Sequence, residues 1–209
     1  MDRRRMVLSL SLAGASFLTG ATAPDAAQPK AVDIHAILDD PRAPVGGNPD
    51  GDVTIVAFVD YNCPYCKRSE PDLQRLVSSD GRIKLIYKDW PILAPSSVVA
   101  ARLALAAKSQ GKYEPAHAAL MALRGPKGSE PAMRDAVAAA GVDMARLDGD
   151  LKTHKAEIAA LLKRNAGQAD ALGLQGTPVY LIGPYLVEAA LDYDGVRDVV
   201  TKFRAQIGK

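Results

Sequence analysis

The residues best suited to chemistry are two cysteines, Cys63 and Cys66, the only ones among 209 residues. They are separated by two residues, in the run Cys63-Pro64-Tyr65-Cys66. A disulfide between them would close a very short loop, and short loops remove little entropy from the unfolded chain. The pair is therefore a poor structural staple and a good reactive group. On a helix, positions i and i+3 share a face, so the two sulfurs can meet. A C-x-x-C pair can also be half of a structural zinc site, which needs four ligands. No second cysteine pair exists, and His35, His117 and His154 have no ligand spacing to this one. Dithiol–disulfide chemistry is the reading that fits.

Those sulfurs need a platform. Residues 53–59, Val-Thr-Ile-Val-Ala-Phe-Val, form a β-branched apolar run of the kind found in strands covered on both faces. Asp60, Tyr61 and Asn62 end it, and Asn62 is a candidate helix N-cap. A helix is expected from the cysteines through Leu73, Leu76 and Val77, kinked at Pro71 because proline lacks a backbone donor. Residues 83–87 alternate as a second strand. Cys63 then lies at a helix N-terminus, where free N–H groups and the positive end of the macrodipole favour a thiolate. Such settings lower a cysteine pKa to roughly 3.5–7.5. Pro64 suits the first helical turn, Tyr65 either tunes the potential or covers the disulfide, and Cys66 is expected to be the more buried, resolving thiol.

From residue 95 to about 167 alanine dominates and no strand-like run appears. Helices are expected over 97–110, 114–123 and 131–140, and then from a cap at Asp143 to about residue 172. An all-α block between two strand-bearing blocks reads as an insertion into an α/β domain. Strand character returns at 179–182 and 185–187 around Gly183-Pro184, a hairpin, and Asp194 is the expected cap of a last helix. Lys88, Asp89 and Trp90 fit either a substrate groove or a strand end with an aromatic lid. His117 reads as a solvated or hydrogen-bonded helical histidine, not a base.

At the N-terminus, Arg3, Arg4 and Arg5 precede an apolar stretch at 6–18, the pattern of a signal peptide over residues 1–21 with cleavage between 21 and 23. The alternative is an ordinary N-terminal helix. Export by the general route or by a twin-arginine route would place the chain in the periplasm. Removal of the segment leaves a neutral protein, with no electrostatic reason to bind nucleic acid or anionic membrane. Residues 22–50 read as tail and loop with room for one short helix around Ile34–Leu38, and the turn cluster Gly46-Gly47-Asn48-Pro49-Asp50-Gly51 marks the start of the packed domain.

The order strand, Cys63–Cys66, helix with Pro71, helical insertion and Thr177-Pro178 resembles the DsbA family of the thioredoxin superfamily. Asp60-Tyr61-Asn62-Cys63, Trp90-Pro91-Ile92-Leu93, Ala100-Ala101-Arg102 and Lys112-Tyr113 resemble its ScsC-like branch. The resemblance implies an α/β thioredoxin fold with an inserted all-helical subdomain: residues 51–94 and 168–209 would build the thioredoxin domain and 95–167 the insertion. It implies catalytic Cys63 and Cys66, supported by Asn62, Pro64 and Tyr65. Thr177 and Pro178 would form a cis-proline loop beside the pair that holds substrate. No metal, nucleotide or flavin cofactor is implied beyond the redox-active disulfide. The implied substrates are cysteine-containing exported proteins. The implied redox partner is a DsbB-like membrane protein, or a thiol donor if the chain is an isomerase or reductase. Many relatives carry a glutamate six residues before the first cysteine, where this chain has Ala57. Trimeric relatives of the ScsC-like branch carry a long N-terminal helix, and the Pro- and Asp-interrupted residues before Gly46 do not resemble one, so a monomeric oxidase is expected. A reading of another class is a copper(I)-binding or chaperone module using two thiolates.

Overall fold

The computed structural model describes residues 32–124 and 128–208; the expected signal peptide at 1–21 and its cleavage sites lie outside the described residues. The apolar run forms β2 (Val53–Val59), and α2 (Pro64–Asp80) returns the chain to β3 (Ile83–Asp89), parallel to β2. The register pairs Val53 with Ile83 and Val59 with Asp89. Before them come α1 (Ile34–Leu38) and β1 (Val45–Gly47); after the helical block, β4 (Val179–Ile182) pairs antiparallel with β2, and β5 (Tyr185–Val187) with β4. The sheet order is β1-β3-β2-β4-β5. The closing helix α8 (Tyr193–Gln206) is capped by Asp192, whose carboxylate accepts from Gly195 N at 2.9 Å, not by Asp194.

Strand periodicity sends alternate residues to opposite faces, and here both faces are buried. Ile55, Ala57 and Val59 join Leu73 and Leu76 of α2 and Val196 and Val200 of α8 in one core. Val56 and Phe58 join Ile37 of α1, Trp90 and Ala169 in the other. At about 1.5–3 kcal/mol for each large apolar side chain removed from water, this two-sided burial is the main force holding the sheet.

The segment read as tail and loop carries β1, antiparallel to β3. Its glycines serve close approach there: a Cβ on Gly46 would lie 2.2 Å from Glu114 Oε1, and one on Gly47, at φ +65°, 2.4 Å from the Ile83 carbonyl. β3 is two residues longer than its alternation suggested, because Lys88 and Asp89 are buried with charged or hydroxyl partners. Trp90 packs edge-on to Phe58, so this stretch is a strand end with an aromatic cover.

Between β3 and β4 lie α3 (Pro95–Ala107) with a short 3-10 turn, α4 (Tyr113–Ala122), α5 (Glu130–Ala139), α6 (Met144–Thr153) and α7 (Lys155–Ala171). The expected continuous helix from Asp143 is two helices, broken at His154, which ends α6 and precedes α7. The fold is thus a mixed α/β thioredoxin-like sheet with a helical insertion between β3 and β4.

Candidate active site

The turn from β2 into α2 is built around Asp60. Its carboxylate accepts from Asn62 N and Ser97 Oγ at 2.7 Å each, and from Ile92 N and Leu93 N at 2.8 and 2.9 Å. Four donors from three chain segments converge on two oxygens, which binds the turn to the β3–α3 loop and to the start of α3. The Asp60 carbonyl accepts from Cys63 N at 3.0 Å. That bond moves the helix cap one residue on from the expected Asn62: Cys63 is the N-cap, its sulfur accepting from Cys66 N at 3.4 Å. Asn62 instead ties the turn to α3 through its amide, which donates to Ser96 Oγ at 3.0 Å and Ser97 Oγ at 2.8 Å. Pro64 occupies the first helical turn, where its missing N–H costs nothing.

Both cysteines are free thiols, and both are covered: Cys63 is 3% exposed and Cys66 1%. Cys63 is therefore less open than a surface nucleophile. Its sulfur faces the Thr177 carbonyl at 3.1 Å, while Tyr65, beside it, is 56% exposed. The Thr177–Pro178 peptide bond is cis, and both residues line a cleft with Tyr65 and Arg68. The Cys66 thiol beside Cys63 brings the Cys63 pKa down to about 6 against the opposing effect of burial, assisted by the Thr177 side chain and the backbone N–H groups of Cys66 and Tyr65. Burial, and then its bond to Cys63, pushes the Cys66 thiol far up. One ready thiolate beside one reluctant thiol is the arrangement that disulfide exchange requires.

Beneath the turn lies a polar cluster that sequence reasoning missed. Tyr61 OH donates to Asp89 Oδ1 at 2.9 Å and meets His117 Nδ1 at 2.9 Å, and Tyr113 OH reaches the same Asp89 oxygen at 3.0 Å. His117 Nε2 forms an ion pair with Glu70 at 3.0 Å, the carboxylate lying off the ring N–H direction. His117 is thus a buried, partnered histidine and not a solvated one. Ala57, at the position of the absent glutamate, is cross-strand to Tyr180 and beside Tyr87 in the parallel register. Tyr180 OH lies 2.7 Å from Ser69 Oγ on α2. The sequence marks Asp89 as a strand-end residue and His117 as a helical histidine, but gives no sign that they meet Tyr61, Tyr113 and Glu70. Among the described residues no group of three or more His, Cys, Asp or Glu side chains is gathered as a metal site.

The family model described as thioredoxin matches residues 39–202. The chain belongs to the thioredoxin family. Among solved structures, it is 40% identical to a thioredoxin-like oxidoreductase from Silicibacter pomeroyi, covering 82% of this chain and 97% of that one with a TM-score of 0.76. It is 31% identical to the thiol-disulfide exchange protein alpha-DsbA2 from Wolbachia pipientis, over 80% and 90% of the two chains, TM-score 0.76. The catalytic domain of Proteus mirabilis ScsC is 28% identical over 82% and 94%, TM-score 0.72. Within the thioredoxin family, then, the chain is a DsbA-type thiol–disulfide oxidoreductase with a C-x-x-C pair. It also matches sodium/proton antiporters, such as NhaA 3 of Salinispora tropica at 28% identity, and spans about a quarter of their length (25%).

Proposed function

We propose that this chain exchanges disulfides with cysteine-containing exported proteins, with Cys63 as the attacking and attacked sulfur and Cys66 as its resolving partner, and that it works as an oxidase. The observation that carries the proposal is the opposed tuning of the two thiols at one helix N-terminus. In the oxidising direction a substrate thiolate attacks Cys63 Sγ, the Cys63–Cys66 bond breaks, and Cys66 leaves as a thiolate that takes up a proton. A second substrate thiolate then attacks the substrate sulfur of the mixed disulfide. The substrate disulfide forms, and the two electrons remain on the Cys63–Cys66 dithiol. Thr177 and Pro178 would hold the substrate chain, with Asn62, Pro64 and Tyr65 shaping the turn.

A Cys63 pKa of about 6, against an ordinary thiol near 8.5, stabilises the reduced pair at pH 7 by about 1.4 kcal/mol. That makes the disulfide more oxidising by about 30 mV. Equilibration with glutathione buffers tests the direction. An oxidase should lie above about −200 mV, whereas a value near −270 mV would favour a reductase. The isomerase alternative is what the resemblance to the ScsC-like branch implies, and efficient reshuffling of scrambled disulfides would be decisive for it. Export to the periplasm is proposed from the basic and apolar N-terminal pattern. The electron acceptor would be a DsbB-like membrane protein for the oxidase, and a membrane thiol donor would replace it for the isomerase.

A further inference from the structure

The cysteine pair is flanked by two clefts of different charge. On the cis-proline side, a cleft of about 570 Å³ brings Arg68 together with Glu188. On the α4 side, a cleft of about 600 Å³ is lined by Asn62, Pro64, Lys67, Arg68, Leu123 and Arg124, with no carboxylate in its wall among the described residues. None of its three cations has a carboxylate within ion-pairing distance among the described residues. Lys67 Nζ donates to the Leu123 carbonyl, which fixes the ammonium to the cleft wall, and Arg68 lies 5.1 Å over the Tyr65 ring. Asp60 acts electrostatically on Lys67, and Arg68 is shared with the cleft that holds Glu188, so the α4-side cleft carries a net but partly offset positive charge. Lys67 is one helical turn beyond Cys63. Two residues of extended substrate span about 7 Å, so a side chain next to the substrate cysteine reaches these cations while its sulfur meets Cys63.

We propose that the α4-side cleft is a subsite for an anionic side chain near the reacting cysteine, making acidic cysteine peptides the preferred substrate class. The inference rests on the exchange reading above. Charges at the rim of a binding site act mainly on association and weaken as salt screens them.

The test uses oxidised protein and two reduced dithiol peptides that differ only in Glu or Lys on both sides of the first cysteine. Each is measured with the wild-type chain and with the Arg68→Glu/Arg124→Glu variant, whose substitutions are at exposed positions. Dividing the Glu-to-Lys rate ratio of the wild type by that of the variant removes both the peptides' own thiol reactivity and any change in Cys63 reactivity. At about 10 mM ionic strength the divided ratio should be about 10-fold or more, falling towards one at about 1 M, where the Debye length is about 3 Å. A divided ratio of one at low salt, with both peptides oxidised, would overturn the subsite. Failure of the wild type to oxidise either peptide would overturn the exchange reading itself.

Discussion

The two faces of the end of β3 hold two buried charged clusters with opposite characters. On one face, Lys88, fully buried, pairs with Asp40 at 3.2 Å, and Arg164 of α7 grips the same carboxylate through Nε and a second nitrogen at 2.9 and 3.0 Å. On the other face, one residue along, Asp89 sits among Tyr61, Tyr113 and the His117–Glu70 pair. Burial pushes Asp40 up, but Arg164, then the Arg42 backbone N–H, then Lys88 win and hold it at about 2. Burial also pushes Asp89 up, to about 6, and there the nearby His117 and tyrosine hydroxyls offset it only in part. An arginine that is always charged makes a fixed staple, whereas histidine and tyrosines leave a group that titrates near neutrality. The staple joins α7 and the segment after α1 to the sheet; the titrating cluster touches the active-site turn through Tyr61.

The signs of the pH dependence follow and differ between the faces. Asp40 has a depressed folded pKa, so its stabilisation is present above the unfolded value of about 3.9 and is lost as pH falls towards 2. Asp89 has a raised folded pKa, so the folded state binds the extra proton and stability declines as pH rises from about 4 to about 6. His117 is raised as well: burial opposes its charge, but Glu70 and then Asp89 prevail. Its contribution is complete below about 6.5 and is lost as pH rises through its folded value.

The largest expected effect is on the staple. Asp40→Ala strands a buried ammonium and should cost about 3–5 kcal/mol in denaturant unfolding, with exchange by the remaining folded protein unchanged. A loss under about 1 kcal/mol would mean that Lys88 finds water. Asp89→Asn should come next. Removing a buried carboxylate that titrates near 6 in the folded state, against an ordinary value of about 3.9, should take up to about 3 kcal/mol out of the decline in stability between pH 4 and 6. Thermal midpoints across that range check it, and an unaltered slope would place the titration elsewhere. The smallest is Tyr61→Phe, which removes one hydroxyl from Asp89 and His117 and should cost about 1 kcal/mol. Comparing this cost in the wild type and in Asp89→Asn measures how tightly the cluster is joined to the turn; full additivity would break the link.

What the sequence revealed was local. The β-branched run before the cysteines, the proline in the first helical turn and the alanine-rich block each encode their structure within a few residues, and β2, α2 and the insertion followed from them. The Thr177-Pro178 loop was legible only through family resemblance, because 111 positions separate it from the cysteine pair. Neither cluster was legible. Asp40, Lys88 and Arg164 meet only because β3 carries Lys88 between two helical segments, and His117 reaches Tyr61 across 56 residues. Glycines misled for a physical reason: at Gly46 and Gly47 they permit close packing of an edge strand instead of ending one. The shift of the cap from Asn62 to Cys63 came from Asp60, whose carbonyl and carboxylate together set where the helix begins.

The central claim is that Cys63 carries the reaction as a stabilised thiolate while Cys66 waits as a buried thiol. Alkylation of the reduced protein as a function of pH, with the labelled cysteine identified by peptide mass, tests it most directly. Cys63 should be labelled first, half-maximal near pH 6, with Cys66 unreactive through the neutral range. Labelling of Cys66 first, or a Cys63 midpoint near the unperturbed value of about 8.5, would contradict it.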